Sequence, residues 1–423
     1  MNSRERVLMA LNHQEADQIP LDLGGSAVTS MHVSSVYRVR QALGLDAPGT
    51  PVKVVEPYQM LGEIAPNLMA ALGVDVVCLG GPRTFFGFPN EGWKPWTLFD
   101  GTPVLVPEKF NTDPEPNGDI LMYPEGDKSA PPSGRMPHGG FYFDVIVRQP
   151  PIDDKNLNVA DNLEEFGPIS TEDLEYFRTE GERLYTQTDQ AIFANFGSTG
   201  FGDIALVPAS WLKHPKGIRD IEEWYVSTLA RRSYIYKVFE GQCEIALANL
   251  ERLYQVLGDR VSVIFISGTD FGMQTGPFIS RKTYRELFMP FLKQENDWVH
   301  AHTPWKTFLH SCGSIMPLIE DFIETGFDIM NPVQFSAVNM DSRELKKKFG
   351  DRITFWGAGV NTQRTLPFGT PDEVSQEVRQ QIEIFAPGGG FVFNTNHNVQ
   401  AGVPQDNLLA LYEAVKQYRS YGA

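Results

Sequence analysis

The sequence predicts an α/β fold, a (β/α)8 TIM barrel with a β-rich insertion at residues 80–150. Three observations carry that prediction. Apolar strand patterns alternate with amphipathic helical ones from Val261 to Tyr418. Successive strand–loop–helix units require parallel strands, because each helix must cross back over the sheet. Earlier strand patterns at Asp75–Leu79 and Ala191–Phe196 bring the number close to eight, which favours a closed barrel over an open doubly wound sheet. No Gly-x-Gly-x-x-Gly follows a strand in a dinucleotide-binding context, which weakens the open sheet further.

The elements are expected in the following order. Ser3 caps a helix to Asn12, with Val7, Leu8 and Leu11 on its inner face. Ile19–Leu23 is a short strand closed by Gly24-Gly25-Ser26, and helical patterns cover Val33–Leu43 and Tyr58–Leu72. After the strand at Asp75–Leu79 the texture changes: Pro, Gly and aromatics (Phe85, Phe86, Phe88, Trp93, Trp96, Phe99) crowd the chain to about Gln149. Asp100-Gly101 between alternating runs is a hairpin signal. This stretch is expected to be an insertion within one domain spanning 1–423, its aromatics packing on the body or forming a lid. Helices occupy much of Asp220–Leu257. The regular part follows, with strands at Val261–Ser267, Thr307–His310, Phe327–Asn331, Ile353–Trp356 and Phe391–Phe393, each followed by a helix.

Composition excludes several partners. The 423 residues carry a net charge of −17, a field that repels nucleic acid and anionic membrane. The N-terminus is charged where a leader needs an apolar segment, and no run approaches the roughly 18 apolar residues of a membrane span. Three cysteines, Cys78, Cys243 and Cys312, suit a reducing cytoplasm better than a disulfide scaffold. Cys78 and Cys243 lie in apolar patterns and read as core residues.

The carboxyl ends of the strands, where a barrel keeps its working residues, are polar: Asp270, His310 with Cys312, Asn331 with Gln334, and Asn394, Asn396 and His397. His310, Cys312 and His397 are three soft ligands that suit zinc with one position open. The residues alone leave a second reading open, in which His310 hydrogen-bonds across the mouth and Cys312 is a small buried side chain. The remaining histidines (His13, His32, His138, His214, His300, His302) show no partner pattern. Asp270, flanked by glycines, is either a turn cap or an acid that orients substrate or protonates a leaving group. Gln274, Asn331, Gln334 and Asn396 are the polar residues expected to meet the substrate.

Several segments together resemble the uroporphyrinogen decarboxylase superfamily: Ser3–Leu11, the Asp-Phe-Gly-x-Gln-x-Gly-Pro run at 270–277, His310-Ser311-Cys312-Gly313, and Leu366–Pro371 through Pro387–Gly390. The resemblance implies a (β/α)8 barrel. One branch decarboxylates a tetrapyrrole gripped by arginines after the first strand. Pro20–Val28 has neither arginine nor lysine, so that chemistry is not expected. The other branch consists of zinc-dependent, corrinoid-linked methyltransferases with a His-x-Cys pair and a third ligand, usually Cys, near the last strand. The pair falls on His310 and Cys312, and the third position, seven residues before Pro404, is His397. This branch implies Zn2+, a cobalamin-type corrinoid carried by a partner protein, a small O- or N-methylated donor or acceptor, and a homodimer. A histidine in place of the third cysteine makes the zinc more Lewis-acidic, suited to an oxygen or nitrogen leaving group. A decarboxylase or lyase of a smaller acid and a non-catalytic ligand-binding barrel are the alternatives.

Overall fold

The structure is a computed structural model that describes residues 1–197 and 199–421. Seven strands form one parallel sheet. In chain order they are β2 (Val76–Leu79), β3 (Ala191–Ala194), β4 (Val263–Ser267), β5 (Lys306–His310), β6 (Ile329–Asn331), β7 (Thr354–Trp356) and β8 (Phe391–Val392), each paired with the next. The remaining strand, β1, is reduced to one residue. Leu21 bridges Phe393 in parallel on one side, and on the other its carbonyl accepts from Asp75 N–H at 2.8 Å. That residue closes the ring, and the fold is a (β/α)8 barrel.

The interior is filled rather than hollow, as expected for eight strands. Val76, Phe193, Val263, Phe308, Ile329, Trp356 and Val392 meet there, and Val7, Ala10 and Leu11 of the helix Ser3–Leu11 plug the amino end. That helix starts from Asn2, whose side chain caps it in a capping box with Glu5, and not from Ser3. Ser3 Oγ donates instead to Asp75 Oδ1 at 2.6 Å. Asp75 is 1% exposed and also accepts from Leu21 N–H (2.9 Å), Arg6 and Arg419. One carboxylate thus ties both ends of the chain to the closing strand.

The stretch 58–72 is not one helix. Glu56 accepts from the Tyr58 and Gln59 amides (2.9 and 2.7 Å), which turns the chain, and Met60 takes a positive φ of 54°. Leu61–Gly62 then pairs back on Val52–Glu56, and the helix begins only at Pro66. Val52–Glu56 also pairs in parallel with Pro103–Val106, whose hairpin partner Lys94–Thr97 turns at Asp100-Gly101. The β-rich region therefore recruits strands from before residue 80. A second sheet, Ile120–Met122, Gly134–Met136 and Asp144–Val145, completes it. Phe86, Phe88, Phe110 and Phe143 are buried together. Gln59 bridges the loops after β1 and β8, through Ala27 O (3.1 Å) and Asn398 Nδ2 (2.8 Å), so this region stands at the mouth.

Two stability tests follow from this packing. Asp75→Ala strands two guanidinium groups and an amide, and should lower stability by about 3–5 kcal/mol, read as a reduced urea midpoint. His32 holds the β-rich region to the barrel through Phe141 O (Nε2, 2.8 Å), and burial pushes its pKa down to about 4. The unfolded imidazole protonates near 6.5, so the stability His32 contributes is full above that pH and is lost as pH falls towards 4. The loss is about 3 kcal/mol at most, and that part of the acid sensitivity should vanish in His32→Gln.

Candidate metal centre

His310 is the last residue of β5, and His397 lies beyond β8, three strands further round the ring. They are not neighbours along the sheet, but they face each other across the closed mouth. Their ring centroids are 5.5 Å apart at 70°. Ligand atoms of His310, Cys312 and His397 all lie within 4.8 Å of one another, and Cys312 Sγ is 3.4 Å from His310 Nε2.

The tautomer of His310 follows from its neighbours. Asn331 Nδ2 donates to Trp356 O at 2.9 Å, which leaves Asn331 Oδ1 facing His310 Nδ1 at 2.6 Å. Nδ1 therefore carries the proton, and the lone pair of Nε2 points at Cys312. A metal-ligating imidazole is typically oriented in this way, by a partner on its far nitrogen.

Three successive amides pin the cysteine loop. Ser311 N–H donates to Asn331 O (2.7 Å), Cys312 N–H to Asp270 Oδ1 (2.6 Å) and Gly313 N–H to Gln334 Oε1 (2.8 Å). Gly313 has φ 86°, and a Cβ there would meet the Gly272 backbone at 2.6 Å, so only glycine fits. Gly272 in turn lets the 270–277 hairpin approach, and Tyr225 Oη fixes Asp270 by donating to its carbonyl at 2.6 Å.

Burial dominates the electrostatics. It pushes His310 and His397 down to about 4 and raises the Cys312 thiol, with Asp270 and Asp203 adding to the rise. Burial likewise raises Asp270, partly offset by the Cys312 amide. Low dielectric disfavours every charged form that lacks a counter-charge. A divalent cation reverses the balance for a thiol and suits two neutral imidazoles. The three donors fit a metal of the zinc type.

The other expected site residues fall in two groups. Asn331, Gln334 and Asn396 are buried and occupied. Asn331 holds His310, Gln334 clamps Gly313, and the Asn396 amide, with its NH2 placed toward them, faces the carbonyls of Val333 and Val360 at 3.3 and 3.2 Å. Gln274 is exposed at the hairpin tip, where its carbonyl accepts from Val338 N–H. One acid was not singled out from the sequence. Asp203 follows the Gly200-Phe201-Gly202 run after β3, and its Oδ2 lies against Gly268, two residues from Asp270. Its signal, an acid behind glycines just past a strand, is the same one that marks Asp270.

Comparison with known proteins agrees with this description. Residues 244–418 match the family model described as Uroporphyrinogen decarboxylase (URO-D). The uroporphyrinogen decarboxylase of Chlorobium phaeobacteroides is 30% identical over 145 residues, which is 33% of this chain and 38% of that protein. That of Chlorobaculum parvum is 28% identical over 142 residues, with 33% and 38% covered. The chain thus spans well under two thirds of the length of these relatives. Among solved structures, a methyltransferase from Methanosarcina mazei aligns over 99% of both chains with a TM-score of 0.54 at 15% identity, a likeness of fold.

If the triad binds a divalent transition metal, Asn331→Ala should weaken that binding by about 10–100-fold while leaving all three ligands in place. Equilibrium dialysis against zinc measures it. Unchanged affinity would mean that the His310–Asn331 contact is not a ligand-orienting one.

Proposed function

We propose that this chain, whose residues 244–418 carry the uroporphyrinogen decarboxylase likeness, is a zinc methyltransferase moving a methyl group between a small O- or N-methylated compound and a corrinoid protein. The convergence of His310, Cys312 and His397 to within 4.8 Å at the barrel mouth is the observation that supports it most. Bound there, zinc would act as a Lewis acid on the leaving oxygen or nitrogen, and a corrinoid would supply the electron pair that accepts the methyl group.

The chain's own residues then have distinct tasks. His310 is held in the ligating tautomer by Asn331, and Cys312 is held by the Asp270 and Gln334 contacts. Asp270, fixed beside the triad by Tyr225 and the Cys312 amide, orients the leaving heteroatom or hands it a proton. The carbon–heteroatom bond breaks with its electron pair staying on the heteroatom, so a proton at that atom lowers the barrier. No helix among the described residues is long and apolar enough to cross a membrane.

The runner-up, decarboxylation of a small acid, has less support. Pro20–Val28, after the first strand, contains neither lysine nor arginine. That stretch offers a carboxylate substrate no cation.

Incubation of the zinc-loaded protein with cob(I)alamin and a panel of methyl ethers and methylamines should yield methylcobalamin only when a donor is present. Cys312→Ala should lose zinc and transfer together with the fold intact, because a barrel of this size does not depend on one metal for its core. Asp270→Asn should keep the metal and slow transfer by about 10^2–10^4-fold. Carbon dioxide release in place of methyl transfer would favour the lyase, and tight ligand binding with neither product would favour a binding protein.

A further inference from the structure

The three ligands are not held alike. His310 is fixed at its ring, through Asn331, and Cys312 at its backbone, through Asp270 and its neighbour's bond to Gln334. His397 has neither kind of tie. Its carbonyl accepts from Thr395 Oγ1, but among the described residues no hydrogen bond reaches its ring nitrogens or its amide. Cys312 Sγ and His310 Nε2, 3.4 Å apart, already stand at the span of about 3.5 Å that one tetrahedral ion gives a sulfur and a nitrogen. What is left to set is the place of His397.

The residue that follows sets it. Asn398 is fully buried, and every polar atom of its side chain is engaged. Oδ1 accepts from the Ser30 amide at 2.6 Å, and Nδ2 donates to Ala27 O at 2.7 Å and to Gln59 Oε1 at 2.8 Å. The Val399 amide adds a bond to Ser30 O at 3.0 Å. Before His397, the Asn396 amide donates to Val360 O (3.2 Å), and Asn394 is tied to Asp22 and Thr29. His397 thus tops a short loop strung from β8 to the loop after β1, with Asn398 as its far post. Consecutive Cα atoms are about 3.8 Å apart, so a shift of the post is a shift of the ligand.

Gln59 carries this arrangement beyond the barrel. It lies in the turn where Glu56 accepts two amides, and that turn leads into the β-rich region. Its Nε2 donates to Ala27 O at 3.1 Å while its Oε1 takes Asn398, so one glutamine grips both the loop after β1 and the post. The turn is docked in its own right, since Met60 O accepts from Val33 N–H (2.8 Å) and Met31 O from Gly62 N–H (3.0 Å).

We propose that Asn398 is the positioning residue of His397, and that its bond to Gln59 makes the third ligand answer to the β-rich region at the mouth. Asn331 places His310 at the ring; Asn398 places His397 through the backbone. The inference rests on the metal-centre reading, but the placement of an imidazole can be measured without a metal.

Asn398→Ala strips three bonds from a buried side chain and endangers the whole loop, so Gln59→Met is the test. It keeps the length of the side chain and leaves Asn398 bonded to Ser30 and Ala27. NMR of the metal-free full chain with isotope-labelled histidine reports each ring, His310→Gln and His397→Gln assigning the two. Cobalt(II) in place of zinc reports the centre: the thiolate charge-transfer band follows Cys312, and the ligand-field bands follow the whole ligand set. In Gln59→Met the His397 resonances should shift and those of His310 move little. Cobalt should bind about 10-fold more weakly, with altered ligand-field bands and the thiolate band retained. Asn331→Ala should reverse the NMR pattern, moving His310 and sparing His397. An unchanged His397 signal and cobalt spectrum in Gln59→Met, with only the melting temperature lowered, overturn the proposal, as does an equal shift of both histidines. If the wild-type chain takes up no cobalt and His397 still moves in Gln59→Met, the positioning stands and the metal reading falls. Cobalt uptake that Gln59→Met leaves unchanged in affinity and spectrum does the reverse.

Discussion

The barrel depends on one narrow closure. Its first strand pairs through a single residue, Leu21, which touches Phe393 on one side and Asp75 on the other. So short a strand cannot supply the usual ladder, and a side chain makes up the difference. Asp75 Oδ2 accepts the Leu21 amide that no neighbouring carbonyl takes. Asn394 adds a second tie by donating to the carbonyls of Asp22 and Thr29, 2.9 and 3.1 Å away. An open sheet would leave the ends of β5 and β8 on one line, three strands apart. Closed, the same ends face each other, and His310 meets His397. The candidate metal centre is therefore a consequence of closure, with ligands contributed from opposite walls.

Closure also makes the mouth dry enough for its charges to matter. In water, two imidazoles, a thiol and two carboxyls would each hold their ordinary protonation states. Here burial dominates each of them and moves both histidines and both acids toward neutrality. Groups in that condition are poised for a cation, because it favours the thiolate and carboxylates without asking the imidazoles to ionise. The loop geometry points the same way. Each amide from Ser311 to Gly313 is committed to a fixed acceptor, so little reorganisation is left for a bound ion to drive.

Much of this was legible in the residues. Strand and helix periodicity located β2 to β8 to within a few residues, because buried parallel strands are apolar runs with few competing patterns. The helix expected over 58–72 failed for a local reason. Its apolar spacing is helical, but Glu56 captures the first two amides and Met60 adopts a left-handed backbone, neither of which periodicity registers. Residue type and strand-end position singled out the three ligands; their mutual distance belongs to the barrel and not to the 85-residue spacing between Cys312 and His397. Polar strand-end residues were harder to divide by role. Asn331 and Gln334 look like substrate contacts in sequence, yet both are consumed in holding the ligand loop, while Asp203 carried the same signal as Asp270 and was passed over.

The choice of ligands bears on the charge that a bound metal would keep. A centre with two thiolates and one imidazole would cancel both charges of a zinc ion. With His397 in place of one thiolate, a zinc ion bound there would keep one positive charge, and Asp270, which accepts from the Cys312 amide at 2.6 Å, would be the acid nearest to hand to answer it. Such an ion would be more electrophilic than one held by two thiolates.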